Sequence, residues 1–552
     1  METKRALLAV IISLAILLGY QYFFIPTAPP PPAAPAGAQR VQPHETKTTP
    51  AQPPAAPAEV AAPQAPQEPR RQGRDIKVET NLYSAVITEN GGGIKSFKLK
   101  KYRETLSPQS DFKQLITTNL PSELPLYFTW GVEPDKTWVP VFEADRQRVT
   151  LTDGKGEEQL VLTSRLPSGL EITKTFRFSS NDYRIGLRVD VHNTSGQPLQ
   201  GSPYLRLTGR PFSSAKSARF LFNGPALYLD NSLREVKPKE LESGGLTLNG
   251  QIQWTAYEGH YFMLGVLPTV PDQQSVRLSV GDTDKTTILL TENAALIPPQ
   301  GRSQFEYTAF FGPKKLSLLK AMDHNLAAIV NFGWFDFLAK PMLYLLNFFY
   351  GFVGNYGVAI ILVTIVVKLL FWPIAHKGMK SMRTMQKLQP KMAKLKEKYG
   401  DDRERLNQEM MKLYQTYKIN PLGGCLPMIL QIPVFFALYK VLLLTIELRH
   451  APFVLWINDL SAPDRLYLGF HIPYLGGLPV LTLLMGGSMF LQQKMTPTSA
   501  DPTQAKVMLF LPVVFTFMFI NFASGLVLYW FVNNLLSMAQ QYVINRQTAA
   551  ED

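Results

Sequence analysis

A chain of 552 residues with 46% hydrophobic and only 18% charged side chains is too long for one domain and too apolar for a wholly soluble or disordered protein. Its net charge of +13 suits acidic partners such as RNA or anionic lipid headgroups. The single cysteine, Cys425, leaves no disulfide, histidines 44, 192, 260, 324, 376, 450 and 471 lack metal-ligand spacing, and no phosphate-binding Gly-x-x-x-x-Gly-Lys-Ser/Thr string occurs, so neither metal nor nucleotide nor any other cofactor is expected.

The first element is an apolar run over 6–25 behind Lys4 and Arg5. Ala36-Gly37-Ala38 resembles a cleavage site, but the run exceeds the usual signal-peptide core of about 7 to 15 residues, which favours an uncleaved anchor over 1–25. The Pro, Ala and Gln of 26–74 cannot build a core and read as an extended tether. From Asp75 the pattern becomes alternating: Tyr183, Ile185, Leu187, Val189 and Val191 interleave with polar residues, and Leu170, Ile172, Phe176 and Phe178 mark the strand before. Turns such as Glu89-Asn90-Gly91-Gly92 separate many such strands, so 75–330 is expected to be a large β-sandwich. Its loops hold carboxylates, Trp254 and His260, as a carbohydrate-binding or mutarotase-like domain would, but spacing singles out no catalytic pair and no enzyme is expected.

An aromatic-rich helix follows over 331–350, with Asp336, Lys340 and Asn347 on a narrow polar side; it reads as an interfacial helix or as a core helix of the sandwich. Apolar runs then place transmembrane helices near 354–374, 421–446, 478–493, 507–522 and 525–544, six crossings with the first anchor. Segment 376–418 reads as a helical hairpin, with Met379, Met382, Met385 and Leu388 on one stripe, Leu406, Met410, Leu413 and Tyr417 on the other, Gly400 at the turn, and Asp401 with Glu404 as a capping box. Twelve Lys and Arg against five Asp and Glu make this hairpin cytoplasmic, which puts both termini inside and the sandwich outside. Its basic residues Lys377, Lys380, Arg383, Lys387, Lys391, Lys394, Arg403 and Arg405 are either a solvated face or a docking surface for ribosomal RNA or anionic lipid.

Lys368 stands inside the apolar run 358–372, where a charge costs roughly 2.5 to 3.5 kcal/mol. Alone it could snorkel to the nearby interface, but Thr364 lies one turn away and Gln431, Asn533 and Asn534 sit at similar depths in other runs, so polar groups from several helices are expected to converge.

From Asn355 onward the residues follow a recognisable order: Gly351-Phe352-Val353-Gly354-Asn355-Tyr356-Gly357, Lys368 with Trp372-Pro373, Asn420-Pro421-Leu422-Gly423-Gly424-Cys425-Leu426-Pro427, Gln431-Ile432-Pro433-Val434-Phe435, Ala451-Pro452-Phe453 with Leu455-Trp456, Gln493-Lys494-Met495, and Ser524-Gly525-Leu526-Val527-Leu528-Tyr529-Trp530. This set resembles the YidC/Oxa family of membrane protein insertases, and the full layout resembles the Gram-negative YidC type. The resemblance implies a five-helix insertase core over 351–546 in the bacterial inner membrane, a periplasmic sandwich, and a hydrophilic groove open to cytoplasm and lipid. The groove's single cation, Arg in many members, falls on Lys368, with Thr364, Gln431, Tyr529, Trp530, Asn533 and Asn534 as its wall. Partners so implied are nascent membrane proteins, the ribosome and the Sec translocon, with a monomer as the working unit.

Leu430, Val434, Phe435, Phe510, Val514 and Phe517 are expected to guide the emerging apolar segment, or else simply to face lipid. Two departures stand out: the chain stops at Asp552 without the long basic tail of many relatives, and the outer loop 466–477 is longer than usual, with no assigned role. A pore, or a chaperone indifferent to Lys368, are the readings from other classes.

Overall fold

The structure is a computed structural model that describes residues 73–550 except 108, 135–138, 152–155, 213–221, 243, 282–284, 323, 401, 418–425, 471, 474 and 496–501. The expected anchor 1–25, the tether up to 72 and the start of the Asn420 motif lie outside the described residues, as do the side chains of Lys380, Arg383, Arg403 and Leu430.

Alternating sequence becomes alternating burial. In Arg184–Asn193, Ile185, Leu187, Val189 and Val191 are buried while Arg184 and Arg188 face solvent. One sheet runs Phe112–Thr117, Ile94–Arg103, Tyr83–Thr88, Asp75–Glu79, Arg148–Thr150, antiparallel except for its last pair. A second, larger antiparallel sheet turns a corner on the 13-residue strand Leu246–Glu258, whose first half pairs with Gln273–Val280 and whose end pairs with Phe262–Pro268.

Strand Leu170–Ser179 skips an apolar residue at one inward position, and that slot holds Lys174, fully buried. Its ammonium donates to the Gly92 carbonyl and to Leu126 O at 2.6 Å, and lies over the Phe142 and Phe176 rings. Gly91 and Gly92 supply the left-handed turn (φ 84° and 58°) that aims the Gly92 carbonyl inward. Burial pulls the Lys174 ammonium down to about 7. The folded state therefore releases this proton before the unfolded state does, so its contribution makes stability rise as pH climbs from about 7 towards the ordinary lysine range near 10.5. Lys174→Ala leaves two buried carbonyls without a donor and is expected to cost about 3 kcal/mol in urea unfolding of the full chain; a loss below 1 kcal/mol would contradict this role.

After a short helix α1 (Leu316–Lys320) come α2 (Asp336–Val353), α3 (Tyr356–Tyr399), α4 (Arg403–Thr416), α5 (Leu426–Leu444), α6 (Val480–Met495), α7 (Pro502–Phe519) and α8 (Ser524–Ala550). Helix α2 starts and ends a few residues later than expected, closing on Gly354 in the left-handed region (φ 64°). Both of its faces are apolar: Ala339, Met342, Leu343 and Leu346 are buried, and α2 packs on α3 and α5, whereas Trp334 just before it and Phe337, Phe348 and Phe352 are exposed. The span expected near 354–374 does not end there, since α3 continues through Pro373 and Pro390 into the first arm of the hairpin. Packing against α8 outweighs the hydrogen bond that Pro373 cannot give to the Leu369 carbonyl one turn back, and Gln540 Nε2 of α8 reaches the Trp372 carbonyl at 3.4 Å. In the second arm Asp402 caps α4 through the Arg405 N–H, one residue beyond the expected Asp401. Leu388 is buried in the hairpin, where the Tyr414 hydroxyl meets Met392 Sδ at 3.9 Å.

Among the described residues one segment, Tyr356–Met379, is both long and apolar enough to cross a bilayer; Gln431–Leu444 and Val507–Phe519 are apolar but shorter.

The β domain meets the helical part at a polar junction. Lys314 Nζ binds the buried Glu258 at 2.5 Å and Gly259 O at 3.1 Å, Arg449 donates to the Arg103 and Glu104 carbonyls, and His260 Nε2 donates at 2.5 Å to Leu443 O in the last turn of α5, where helix carbonyls lack internal partners. Burial, with Lys314 and Arg449 adding to it, pulls His260 down to about 4. The unfolded histidine takes its proton near pH 6.5 and the folded one only near 4, so this junction loses stability as pH falls between those values. Faster amide exchange around 259–262 at pH 5 than at pH 7, after correction for intrinsic rates, is the expected sign, and unchanged protection would contradict it.

Candidate functional site: a cation between α3 and α8

Helix α8 is the hub of the helical part, and its faces meet different neighbours. Asn533 and Ser537, one turn apart, point at α3, where Lys368 Nζ donates to Asn533 Oδ1 at 3.1 Å and to Ser537 Oγ at 2.7 Å. Asn534, buried and rotated about 100° from Asn533, turns to α6 and donates to Ser488 Oγ at 3.0 Å; Gln541 reaches Met495 O on the same side. Tyr529 and Trp530 face α5: the Tyr529 hydroxyl is hydrogen-bonded to Gln431, and the Trp530 ring lies 4.7 Å from Phe435 and 5.0 Å from Phe519.

The connection between α5 and α6 holds α3 and α8 at a common depth. Asn355 caps α3 by accepting from the Val358 N–H and donates to Phe453 O, and Gly357 leaves room for the Phe453 ring, which an added methyl group would overlap. Ser524, opening α8, donates through its hydroxyl to Asp459 O and through its amide to Ala462 O, while Gly525 N donates to Leu460 O. Counting at 1.5 Å per residue, Lys368 lies about 18 Å below the start of α3, and Asn533 and Ser537 about 14 and 20 Å below the start of α8. The three polar groups therefore lie level with one another.

Of the residues singled out from sequence, the structure brings together Lys368 with Asn533, Gln431 with Tyr529, and Trp530 with Phe435. Thr364, only 1% exposed, returns its hydroxyl to Ile360 O of its own helix, and Asn534 belongs to the α6 contact, so neither touches Lys368. Val434 is buried, Val514 half-buried, and Phe510 and Phe517 exposed. Ser537 joins Lys368 and Asn533 as a contact whose one signal in the sequence is its i+4 spacing from Asn533. Among the described residues no carboxylate pairs with Lys368, whose partners are neutral oxygens. The basic side chains Lys377, Lys387, Lys391, Lys394 and Arg405 are exposed on the hairpin.

Apolar helices that seat Lys368 on neutral oxygens, among them one segment long enough to cross a bilayer, joined to a large β domain, define a helical class with the marks of a membrane protein. Family models match both parts: the 60Kd inner membrane protein over 348–551 and the YidC periplasmic domain over 75–345. Membrane protein insertase YidC of Geobacter sulfurreducens is 44% identical, covering 100% of this chain and 99% of its own, and that of Syntrophobacter fumaroxidans is 42% identical over 98% and 99%. A crystal structure of an active YidC insertase with its first transmembrane domain resolved covers 86% of this chain and 93% of its own at 20% identity and TM-score 0.36. The chain belongs to the YidC family of membrane protein insertases.

Proposed function

We propose that this chain inserts proteins into the bacterial inner membrane and assists their folding, through a hydrophilic groove beside Lys368 that opens to the cytoplasm and to lipid. The observation that carries this reading is the Lys368–Asn533–Ser537 contact, a cation bound to neutral oxygens between apolar helices. A structural cation at such depth is ordinarily neutralised by a carboxylate, whereas one held only by neutral dipoles keeps a positive potential for an incoming acidic or polar tail. The apolar substrate helix then partitions downhill at about −0.3 to −0.6 kcal/mol for each Leu, Ile, Phe or Val, and the difficult step is its hydrophilic flank. A wet groove reaching partway shortens that flank's path across about 30 Å of hydrocarbon. Helices α6 and α7, about 24 and 27 Å long at helical rise, thin the bilayer beside it.

In this reading there are six crossings, both termini and the basic hairpin are cytoplasmic, and the β domain is periplasmic. The hairpin's exposed lysines and Arg405 dock the ribosome or anionic lipid, Phe510 and Phe517 guide the emerging helix, and the chain works as a monomer, alone or beside the Sec translocon. The carbohydrate-binding alternative is not favoured, since the β domain itself matches the family's periplasmic domain.

The test is reconstitution of the purified chain in nucleotide-free liposomes with a single-span substrate. Protease protection of the translocated tail, above that in empty liposomes, is expected; equal protection in both would end the proposal.

A further inference from the structure

The connection between α5 and α6 has an inner and an outer side. Inward, half-buried Phe453 and Trp456 and buried Ile457 and Leu460 pack toward the ends of α3 and α8, and the buried Asp464 accepts from Trp456 Nε1 and from the first amides of α6, Leu481 and Thr482. Outward, two apolar knuckles stand free of the protein. The first is Val454 and Leu455; Leu455 is 83% exposed and sits at φ 58°, a left-handed conformation that leucine disfavours, held by the turn bonds Phe453 N to Ile457 O and Ile457 N to Val454 O. The second is Tyr467, Leu468 and Phe470, each at least half exposed.

The second knuckle has a built base. Leu466 and Leu478 exchange both backbone hydrogen bonds at 2.8 Å, and Arg465 donates to Leu475 O at 2.7 Å, to Ile520 O at 2.8 Å just past α7, and to Asn521. The hairpin it closes, 466–477, contains no Asp, Glu, Lys or Arg. An uncharged loop braced at its base is unlike a water-facing connection, as is a separate knuckle that spends a strained backbone on displaying Leu455, and the loop's C-terminal end leads straight into α6.

We propose that the connection 445–479 is a lipid anchor whose two knuckles seat in the headgroup and acyl boundary of the outer leaflet. They fix the height of the bundle in the membrane, and with it the depth of Lys368. This rests on the crossings proposed above, with the connection on the periplasmic side.

The test uses the full chain with Cys425→Ser, into which single cysteines are placed by Leu455→Cys and Leu468→Cys. Leu369→Cys on the exposed face of α3 serves as the membrane control and Ser107→Cys in the β domain as the aqueous control. Each is labelled with an environment-sensitive fluorophore in liposomes and quenched by shallow doxyl lipid or by aqueous iodide. Labels at 455 and 468 are expected to emit further to the blue than at 107 and to be quenched about threefold more by doxyl lipid than by iodide, as insertion about 5–10 Å into the boundary requires. If both respond to iodide like 107 while 369 responds to lipid, the anchor is wrong and the crossing reading stands. If 369 itself responds to iodide, the crossing reading fails first. Labels that neither quencher reaches are covered by protein, which also overturns a lipid anchor.

Discussion

Replacing Lys368 with alanine is expected to lower insertion of a single-span substrate with an acidic tail about tenfold, while arginine preserves most of it and a substrate with a neutral tail is spared. Loss of a charge-assisted contact of about 1.5 to 3 kcal/mol corresponds to a factor of ten or more. Asn533 Oδ1 and Ser537 Oγ are separate single acceptors, so the pocket uses a point charge and does not require the guanidinium fork. The variant is not expected to lose stability. Ser537 keeps its bond to Asn533 O, and in a water-filled groove water takes the place of the ammonium on Asn533 Oδ1. Protease protection in liposomes measures the insertion and thermal unfolding in detergent measures the stability. Alanine matching wild type for acidic and neutral tails alike would remove the electrostatic step.

The largest expected loss of stability is at the buried Lys314–Glu258 pair of the β domain, beside its junction with the helical part. Lys314→Met leaves Glu258 buried without its cation, a change of about 3 to 5 kcal/mol at pH 7. Glu258 Oε1 already has no hydrogen-bond partner among the described residues, so little else can take up the charge. Burial holds the Glu258 carboxyl above the usual carboxylate range, with Lys314 opposing that shift. A carboxyl raised in the folded state contributes stability that is complete below the unfolded value near 4.5 and is lost as pH rises through the folded value. The variant's deficit against wild type is therefore expected to shrink as pH falls from 7 towards 4.5. Urea unfolding at matched pH measures it, and comparison with wild type at each pH cancels the opposite drift from His260. A deficit that ignores pH would mean Glu258 is not the group left exposed to the loss.

Much of the layout was legible because membrane and sheet both impose simple periods. The alternation in 183–191 and the apolar runs behind α3, α5 and α8 are direct readings of which faces meet water. Lys174 was not legible: a lysine at an inward strand position looks like a surface residue until the Gly92 and Leu126 carbonyls arrive from distant sequence. The continuity of α3 through Pro373 was hidden for the same reason, since the local rule for proline yields to packing against α8. At the site, Lys368 and Asn533 stood out as polar groups in apolar runs, whereas a serine such as Ser537 is too ordinary in a helix to draw attention. Asn533 and Asn534 are neighbours in sequence but point about 100° apart on the helix, so one meets Lys368 and the other Ser488. The tie from His260 to Leu443 joins residues far apart in the chain and has no local signature.

In the proposed groove, water reaches Lys368 from the cytoplasmic side and is stopped on the periplasmic side by the connection between α5 and α6. Its most direct measurement is alkylation of a single cysteine, Ser537→Cys in the Cys425→Ser chain, by a membrane-impermeant maleimide added to either face of oriented vesicles. Modification from the cytoplasmic face alone is the expected result; modification from the periplasmic face, or from neither, would contradict it.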